Sequence, residues 1–321
     1  MKTADVTRFQ SFADAQEISP EAVKSYVEYD SFPETILSIG HFGRQVADLL
    51  AKKDPGGDRL PWPKTHSQFR FLPGEVTLWH GINGHGKSAV TTQVALWLAL
   101  QGRKSCLASF EMDPARTVQR MFLQAAGNPD PSDQFFVDFF VTLTPRMWLY
   151  RKRGRMDRKY LIAAIRYCAA EKKISHFFVD SLMKCVQGED DYNGQKDFVE
   201  DLCDVAAQTG THVHLVHHVR KGEDEKRAPG KFDAKGAGAI TDLVHNVIGV
   251  WRNKAKEQAL KSGETTADMD AETPDFLLIC DKQRTIGWEG KWALWGDLST
   301  WHFRESAQQP WARGYDMGAA L

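Results

Sequence analysis

The sequence predicts an α/β fold in which a central, mostly parallel sheet is flanked by helices, preceded by a small helical segment. Three observations predict it. From about residue 65 onward, short apolar runs alternate with stretches of helical periodicity and length, as parallel strands joined by crossover helices require. One apolar run, Val76-Thr-Leu-Trp79, leads into the glycine-rich octet Gly81-Ile-Asn-Gly-His-Gly-Lys87-Ser88. The helical stretch Ala89 to Leu100 follows at once, so strand, tight loop and helix come in the order a phosphate-binding unit needs.

Composition bounds the rest. The 321 residues are 42% hydrophobic, enough to fill a sizeable core. The longest apolar stretches, Val94 to Leu100 and Phe135 to Val141, fall far short of the roughly 20 residues a membrane span needs, so no membrane partner is expected. The opening residues MKTADVTRFQSFADAQ lack the apolar centre of a signal peptide, and a cytoplasmic location follows as an expectation. Cysteines 106, 168, 185, 203 and 280 are odd in number and widely spaced. They predict reduced, mostly buried thiols and neither a disulfide framework nor a zinc ribbon. With 41 basic and 42 acidic residues, the chain is no general electrostatic glove for nucleic acid. Any such contact must come from local patches.

Residues 1–64 are expected to form a small helical segment and a linker. Helical patterns fall near Pro20 to Tyr29, opened by Ser19 as a cap, and near Phe42 to Lys53. The breakers of Asp54-Pro-Gly-Gly-Asp-Arg-Leu-Pro-Trp-Pro-Lys64 read as a linker. Residues 65–321 are expected to form the main domain. Its candidate strands are Glu75 to Trp79, Lys104 to Phe110, His176 to Val179, His212 to His217, Val247 to Trp251 and Phe276 to Cys280, with crossover helices such as Ser88 to Gln101 and Asp197 to Gln208. Residues 254–274 are polar without periodic apolar positions, and predict an exposed excursion between two strands.

The octet carries the most specific chemistry. Phosphates need backbone N–H groups converging at a helix N-terminus, glycines where side chains would collide, a lysine for the β- and γ-phosphates and a hydroxyl for magnesium. Gly81, Gly84 and Gly86 shape the loop, and Asn83, His85 and Ala89 are candidate nucleotide-binding residues with them. Lys87 supplies the charge and Ser88 the magnesium ligand. The implied cofactors are ATP, or another nucleoside triphosphate, and Mg2+. Ser105-Cys-Leu-Ala-Ser-Phe110 ends in Glu111, placing a carboxylate at the sheet edge where open α/β folds bind ligands. Glu111 is a candidate general base, the alternative being an acid that serves the dipole of the helix opened by Asp113-Pro114. His176-Phe-Phe-Val179 ends in Asp180, the acid that orders magnesium in phosphate-loop enzymes.

Four further features have two readings each. His217-His218 at a strand tip offers a γ-phosphate sensor or one core and one surface residue. The following loop holds six basic residues, Arg220, Lys221, Lys226, Arg227, Lys231 and Lys235, among glycines such as Gly236. It is either a grip on phosphodiester backbones or a solvated loop. Asp281-Lys282-Gln283-Arg284 ends another strand with two cations, which either reach a neighbouring subunit's phosphates or form surface ion pairs. The densest basic cluster, residues 151–159, reads as solvated surface ahead of a nucleic-acid contact.

Taken in order, the GINGHGKS loop, Ser109-Phe110-Glu111-Met112, Val179-Asp180, His218-Val-Arg-Lys, Lys235-Gly-Ala-Gly238 and Lys282-Gln-Arg284 resemble the RecA-like core of hexameric replicative DNA helicases, the group of DnaB, the phage primase-helicases and Twinkle. The resemblance spans about residues 68–304. It implies that Lys87 and Ser88 bind triphosphate and magnesium, Glu111 is the catalytic base and Asp180 orders the metal. It implies too that His218 senses the γ-phosphate, while Lys282 and Arg284 act in a neighbouring subunit. The 220–238 loop would grip single-stranded DNA in the channel of a hexameric ring. The first residues are far fewer than a primase domain needs, so primase activity is not implied, and a separate primase or polymerase becomes an expected partner. The leading expectation is an ATP-driven replicative helicase of a phage or mobile element, located in the host cytoplasm. A RepA-like, recombinase- or loader-like DNA-dependent ATPase that does not unwind DNA, and a regulatory nucleotide-binding module, are the alternatives. Glu111 with Lys282 and Arg284 disfavours the module, since a mere binder needs none of them.

Overall fold

A computed structural model describes residues 20–27, 39–51, 56–151, 154–186, 188, 191–218, 238–263, 272–308 and 314–317. The strands are β1 (Val76–Gly81), β2 (Ser105–Ser109), β3 (Met147–Leu149), β4 (His176–Asp180), β5 (His212–His218), β6 (Asn246–Arg252), β7 (Phe276–Gln283), β8 (Gly290–Asp297) and β9 (His302–Arg304). They form one sheet in the order β3-β2-β4-β5-β1-β6-β7-β8-β9. The first six run parallel; β7, β8 and β9 each run antiparallel to the preceding strand. β1, β4 and β5 are buried almost throughout, as strands covered on both faces must be, and the histidines they carry, all but His218 at the end of β5, are buried with the apolar residues.

Two cores sandwich the sheet. On one face lie α3 (Lys87–Leu100), α4 (Pro114–Ala126) and α5 (Asp133–Leu143), packed on Trp79, Leu107, Val216 and Phe276. On the other lie α6 (Arg158–Lys172), α7 (Tyr192–Thr209) and α8 (Gly238–Leu243), packed on Val76, Leu78, Val179 and Val213. Local chemistry starts and stops the helices. The Asp113 and Asp157 carboxylates cap the first turns of α4 and α6, and left-handed Gly127 and Gly210 terminate α4 and α7. Upstream, α1 (Pro20–Lys24) sets Val23 against Ala163 and Ala164 of α6. In α2 (Gly43–Ala51), Val46, Leu49 and Leu50 are exposed, Leu50 to 82%.

The six expected strands are all present, and the structure adds β3, β8 and β9. Two readings are corrected. The stretch 56–64 packs into the core rather than linking across solvent. Leu60 is 0% and Trp62 2% exposed, Trp62 Nε1 donates to the Phe303 carbonyl at 3.0 Å, and Asp58 bridges Phe71. Its glycines and prolines turn the chain while two apolar side chains anchor it. The polar region 254–274 is not wholly irregular, because α9 (Lys254–Ser262) forms behind an Asn253 cap, and its Lys256 pairs with Asp275 at 2.6 Å. All five cysteines are free thiols, four buried and Cys203 partly so. No helix among the described residues is long and apolar enough to cross a membrane. The basic loop carrying Arg220, Lys221, Lys226, Arg227, Lys231, Lys235 and Gly236 lies outside the described residues, as do Lys152 and Arg153 of the 151–159 cluster.

Candidate active site

The loop between β1 and α3 is shaped by glycines where nothing else fits. Gly81 has φ +151°, and a Cβ there would collide with the Val250 carbonyl of β6. Gly86 is the left-handed N-cap of α3, with the Phe276 ring 3.1 Å from where a Cβ would stand. At Gly84 the corresponding space is open. Lys87 is buried, and its Nζ donates to the carbonyls of Gly81 at 2.7 Å and Ile82 at 2.9 Å. Burial pulls its ammonium down to about 8, against the opposing pull of Asp180 and Glu111. Within the loop the His85 side chain serves the fold. His85 is fully buried and its Nδ1 accepts from the Arg252 amide, while the Ala89 carbonyl accepts from Gln124.

Sheet register brings four distant motifs to one edge. β2, β4, β5 and β1 are consecutive neighbours, with Ser109 beside Asp180, Asp180 beside Val216 and Gly81 beside His218. The ends of these strands therefore present Glu111, Asp180, His218 and the glycine loop side by side. Asp180 hydrogen-bonds Ser88, and burial raises its carboxyl above the usual range. A hydroxyl and a carboxylate are hard oxygen donors, and with Lys87 alongside they fit a magnesium–triphosphate complex. Glu111 stands at the mouth, its side chain 43% exposed, with Ser181 Oγ at 3.0 Å and His218 Nε2 at 3.6 Å from its Oε1. The His218 contact foremost, with help from Ser181 and against burial, holds its carboxyl down to about 2, so the group is an acceptor at neutral pH. His217 faces the core, where burial pushes its imidazole down to about 4.

Lys282 and Arg284 are not part of this cluster. β7 runs antiparallel to β6, so Lys282 pairs with Val247 near the opposite sheet edge. Its Nζ donates to the carbonyls of Thr241 at 2.6 Å and Asp242 at 2.9 Å, and Arg284 Nη2 donates to the Asp242 carbonyl. Both cations thus sit on carbonyls of the last turn of α8, where positive charge is favoured.

Three residues beside the loop went unnoticed in the sequence. The Trp301 ring lies 3.6 Å from where a Cβ of Gly86 would stand. The guanidinium groups of Arg252 and Arg120 lie 5.5 and 5.9 Å from its centroid. Arg252 Nη1 also donates to the Gly84 carbonyl at 3.4 Å. Arg252 ends β6 as Asp180 ends β4, a signal open to reading. Trp301 follows the β8 strand about 215 residues after the loop, with no local mark.

Residues 58–224, slightly over half the chain, match the family model described as the AAA domain. The chain belongs to the AAA domain family. Solved structures agree on the fold of this AAA protein. The ATPase domain of G40P aligns over 84% of this chain and 99% of its own, with 14% identity and a TM-score of 0.69. A DnaB-like replicative helicase, solved in a study of its interactions with primase, aligns over 94% of this chain and 75% of its own, with 14% identity and a TM-score of 0.65. The RecA-like core expected from the motif order is the fold of both. The AAA protein is an enzyme that hydrolyses a nucleoside triphosphate.

Proposed function

We propose that the protein is an ATP-dependent DNA helicase that assembles as a ring, hexameric as the order of its motifs implies, and moves along single-stranded DNA during replication of a phage or mobile element. The observation that carries this reading is the separation of two sets of charged groups. Lys87, Ser88, Glu111, Asp180 and His218 share one sheet edge, while Lys282 and Arg284 sit at the other. Cations that far from their own loop serve the loop of a neighbouring copy, so each hydrolytic site is completed across an interface. The exposed Val46, Leu49 and Leu50 on α2 supply apolar surface for that assembly.

In the hydrolytic step the loop amides and Lys87 hold the β- and γ-phosphates. Ser88 and Asp180 are the residues that would hold a magnesium ion, which when bound would neutralise charge developing on the phosphates. Glu111 accepts a proton from the water attacking the γ-phosphate, and His218 lies close enough to couple that event to the segment that follows it. Trp301, backed by Arg252, whose guanidinium is paired with Glu257, forms a flat seat beside Gly86 for the nucleobase. The basic 220–238 segment joins β5 to α8 and is the proposed DNA grip, with Arg220, Lys221, Lys226, Arg227, Lys231 and Lys235 on phosphates. A separate primase or polymerase is the partner we assign, in line with the primase interactions of the DnaB-like structure.

Fork unwinding, measured beside DNA-stimulated ATP hydrolysis, tests this reading. Wild type should separate forked strands, and Arg284→Ala should lose hydrolysis. Mixing Arg284→Ala with Lys87→Ala subunits should restore part of it, since some interfaces then pair an intact loop with an intact finger. DNA-stimulated hydrolysis without strand separation would favour a loader- or recombinase-like ATPase. Full activity from a monomer would remove the composite site.

A further inference from the structure

Glu111 is held by one of its two oxygens. Ser181 Oγ donates to Oε1 at 3.0 Å, and His218 Nε2 lies 3.6 Å from the same atom. Among the described residues, no hydrogen bond engages Oε2. Ser181 is fully buried. It follows Asp180 directly at the end of β4, and its carbonyl accepts from the amide of Lys184 at 3.1 Å. The Phe110 amide donates to the Asp180 carbonyl at 2.8 Å, tying the segment that carries Glu111 to the segment that carries Ser181. A serine hydroxyl has one hydrogen to donate and one side-chain torsion to set. Here that hydrogen goes to Glu111.

We propose that Ser181 is a positioning residue that clamps Oε1 of Glu111 and so presents Oε2 to the water attacking the γ-phosphate. The inference rests on Glu111 being the general base. Without the Ser181 hydrogen bond, half-exposed Glu111 keeps only the longer 3.6 Å His218 contact to restrain its three side-chain torsions, and Lys184 is a cation near enough to attract it. The fraction of time spent aligned with the water then falls, while phosphate and metal contacts, made by other residues, stay in place. The effect therefore belongs to kcat and not to KM.

Ser181→Ala in the full chain should lower kcat for ATP hydrolysis about 10-fold, with KM for ATP within about twofold of wild type. Ser181→Thr keeps the hydroxyl and should recover most of the rate. Ser181→Cys fills the same buried space with a weaker donor and should behave like the alanine variant, which separates loss of the hydrogen bond from loss of packing. Single-turnover rates in a Glu111→Gln background supply the decisive comparison. If Ser181 works through Glu111, Ser181→Ala should slow that background by less than about twofold. An equal loss in both backgrounds, an unchanged kcat in folded Ser181→Ala and Ser181→Cys, or a change confined to KM would overturn the proposal. A wild-type rate for Glu111→Gln would instead remove the general-base reading on which it rests.

Discussion

His176 Nε2 lies 2.9 Å from Asp58 Oδ2, a buried contact that joins β4 to the segment preceding the sheet. It is the end of a chain whose proton positions are forced. Trp79 Nε1–H can only donate, so His214 Nδ1 accepts at 3.2 Å. A neutral His214 then carries its proton on Nε2 and gives it to His176 Nδ1 at 3.1 Å. His176 is left with Nε2–H for Asp58. His212, beside them, takes the Thr77 hydroxyl at 2.8 Å and gives Nδ1–H to the Leu72 carbonyl at 2.7 Å.

This array predicts loss of stability in mild acid. Burial pushes His176, His212 and His214 below the ordinary imidazole value, His212 to about 3. The unfolded chain therefore takes up protons first, so stability is complete above about pH 6.5 and is lost as pH falls toward 3. His217, His245 and His302 shift the same way. Denaturant melts should show a loss on the order of 1 kcal/mol per pH unit for each buried histidine below pH 6. His212→Gln should flatten that dependence, and equal midpoints at pH 7.5 and 5 would contradict the array's neutrality.

Trp62 predicts that the 56–64 segment is structural. It is 2% exposed and bonded to Phe303 across the fold. Trp62→Ala should destabilise the protein by about 3–5 kcal/mol in urea melts. A loss below about 1 kcal/mol would mean that the segment contributes little to the core.

Gly81→Ala should damage folding and nucleotide binding together. Its added methyl meets the Val250 carbonyl, and neither strand backbone can retreat without breaking the β1–β6 ladder. We expect a loss of about 2 kcal/mol or more. Gly84→Ala meets no atom but strains a backbone at φ +80°, so its loss of stability should be smaller. Thermal melts of the two variants side by side test this ordering.

Trp301→Ala should raise KM for ATP about 10-fold while kcat moves little, because the ring touches the loop and not the reacting end of the site. Trp301→Phe should keep part of the affinity. Steady-state kinetics across both variants decide it, and KM values within twofold of wild type would remove Trp301 from the nucleotide seat.

Much of the fold was legible because its signals are local. An apolar run followed by glycines and a helix declares β1, the loop and α3 within about 25 residues. Asp180 and Glu111 were legible for the same reason, as acids ending apolar runs. β8 was not, since Gly290–Asp297 mixes tryptophans with charge on a half-exposed strand beyond the parallel core. Helix α9 was missed because an Asn253 cap and a buried Lys256–Asp275 pair, not an apolar stripe, hold it.

What the sequence determined by itself was which chemical groups stand at the ends of which strands, since a motif of consecutive residues keeps its neighbours whatever the chain does next. Only the tertiary structure decided which ends meet. Parallel register gathered Gly81, Glu111, Asp180 and His218 at one edge, and the reversal at β7 carried Lys282 and Arg284 to the other. Ser181 on Glu111, and Trp301 beside Gly86, depend on hydrogen-bond register and packing between segments 70 or more residues apart. No local pattern encodes such contacts, because they are set by how strands pair and helices cross.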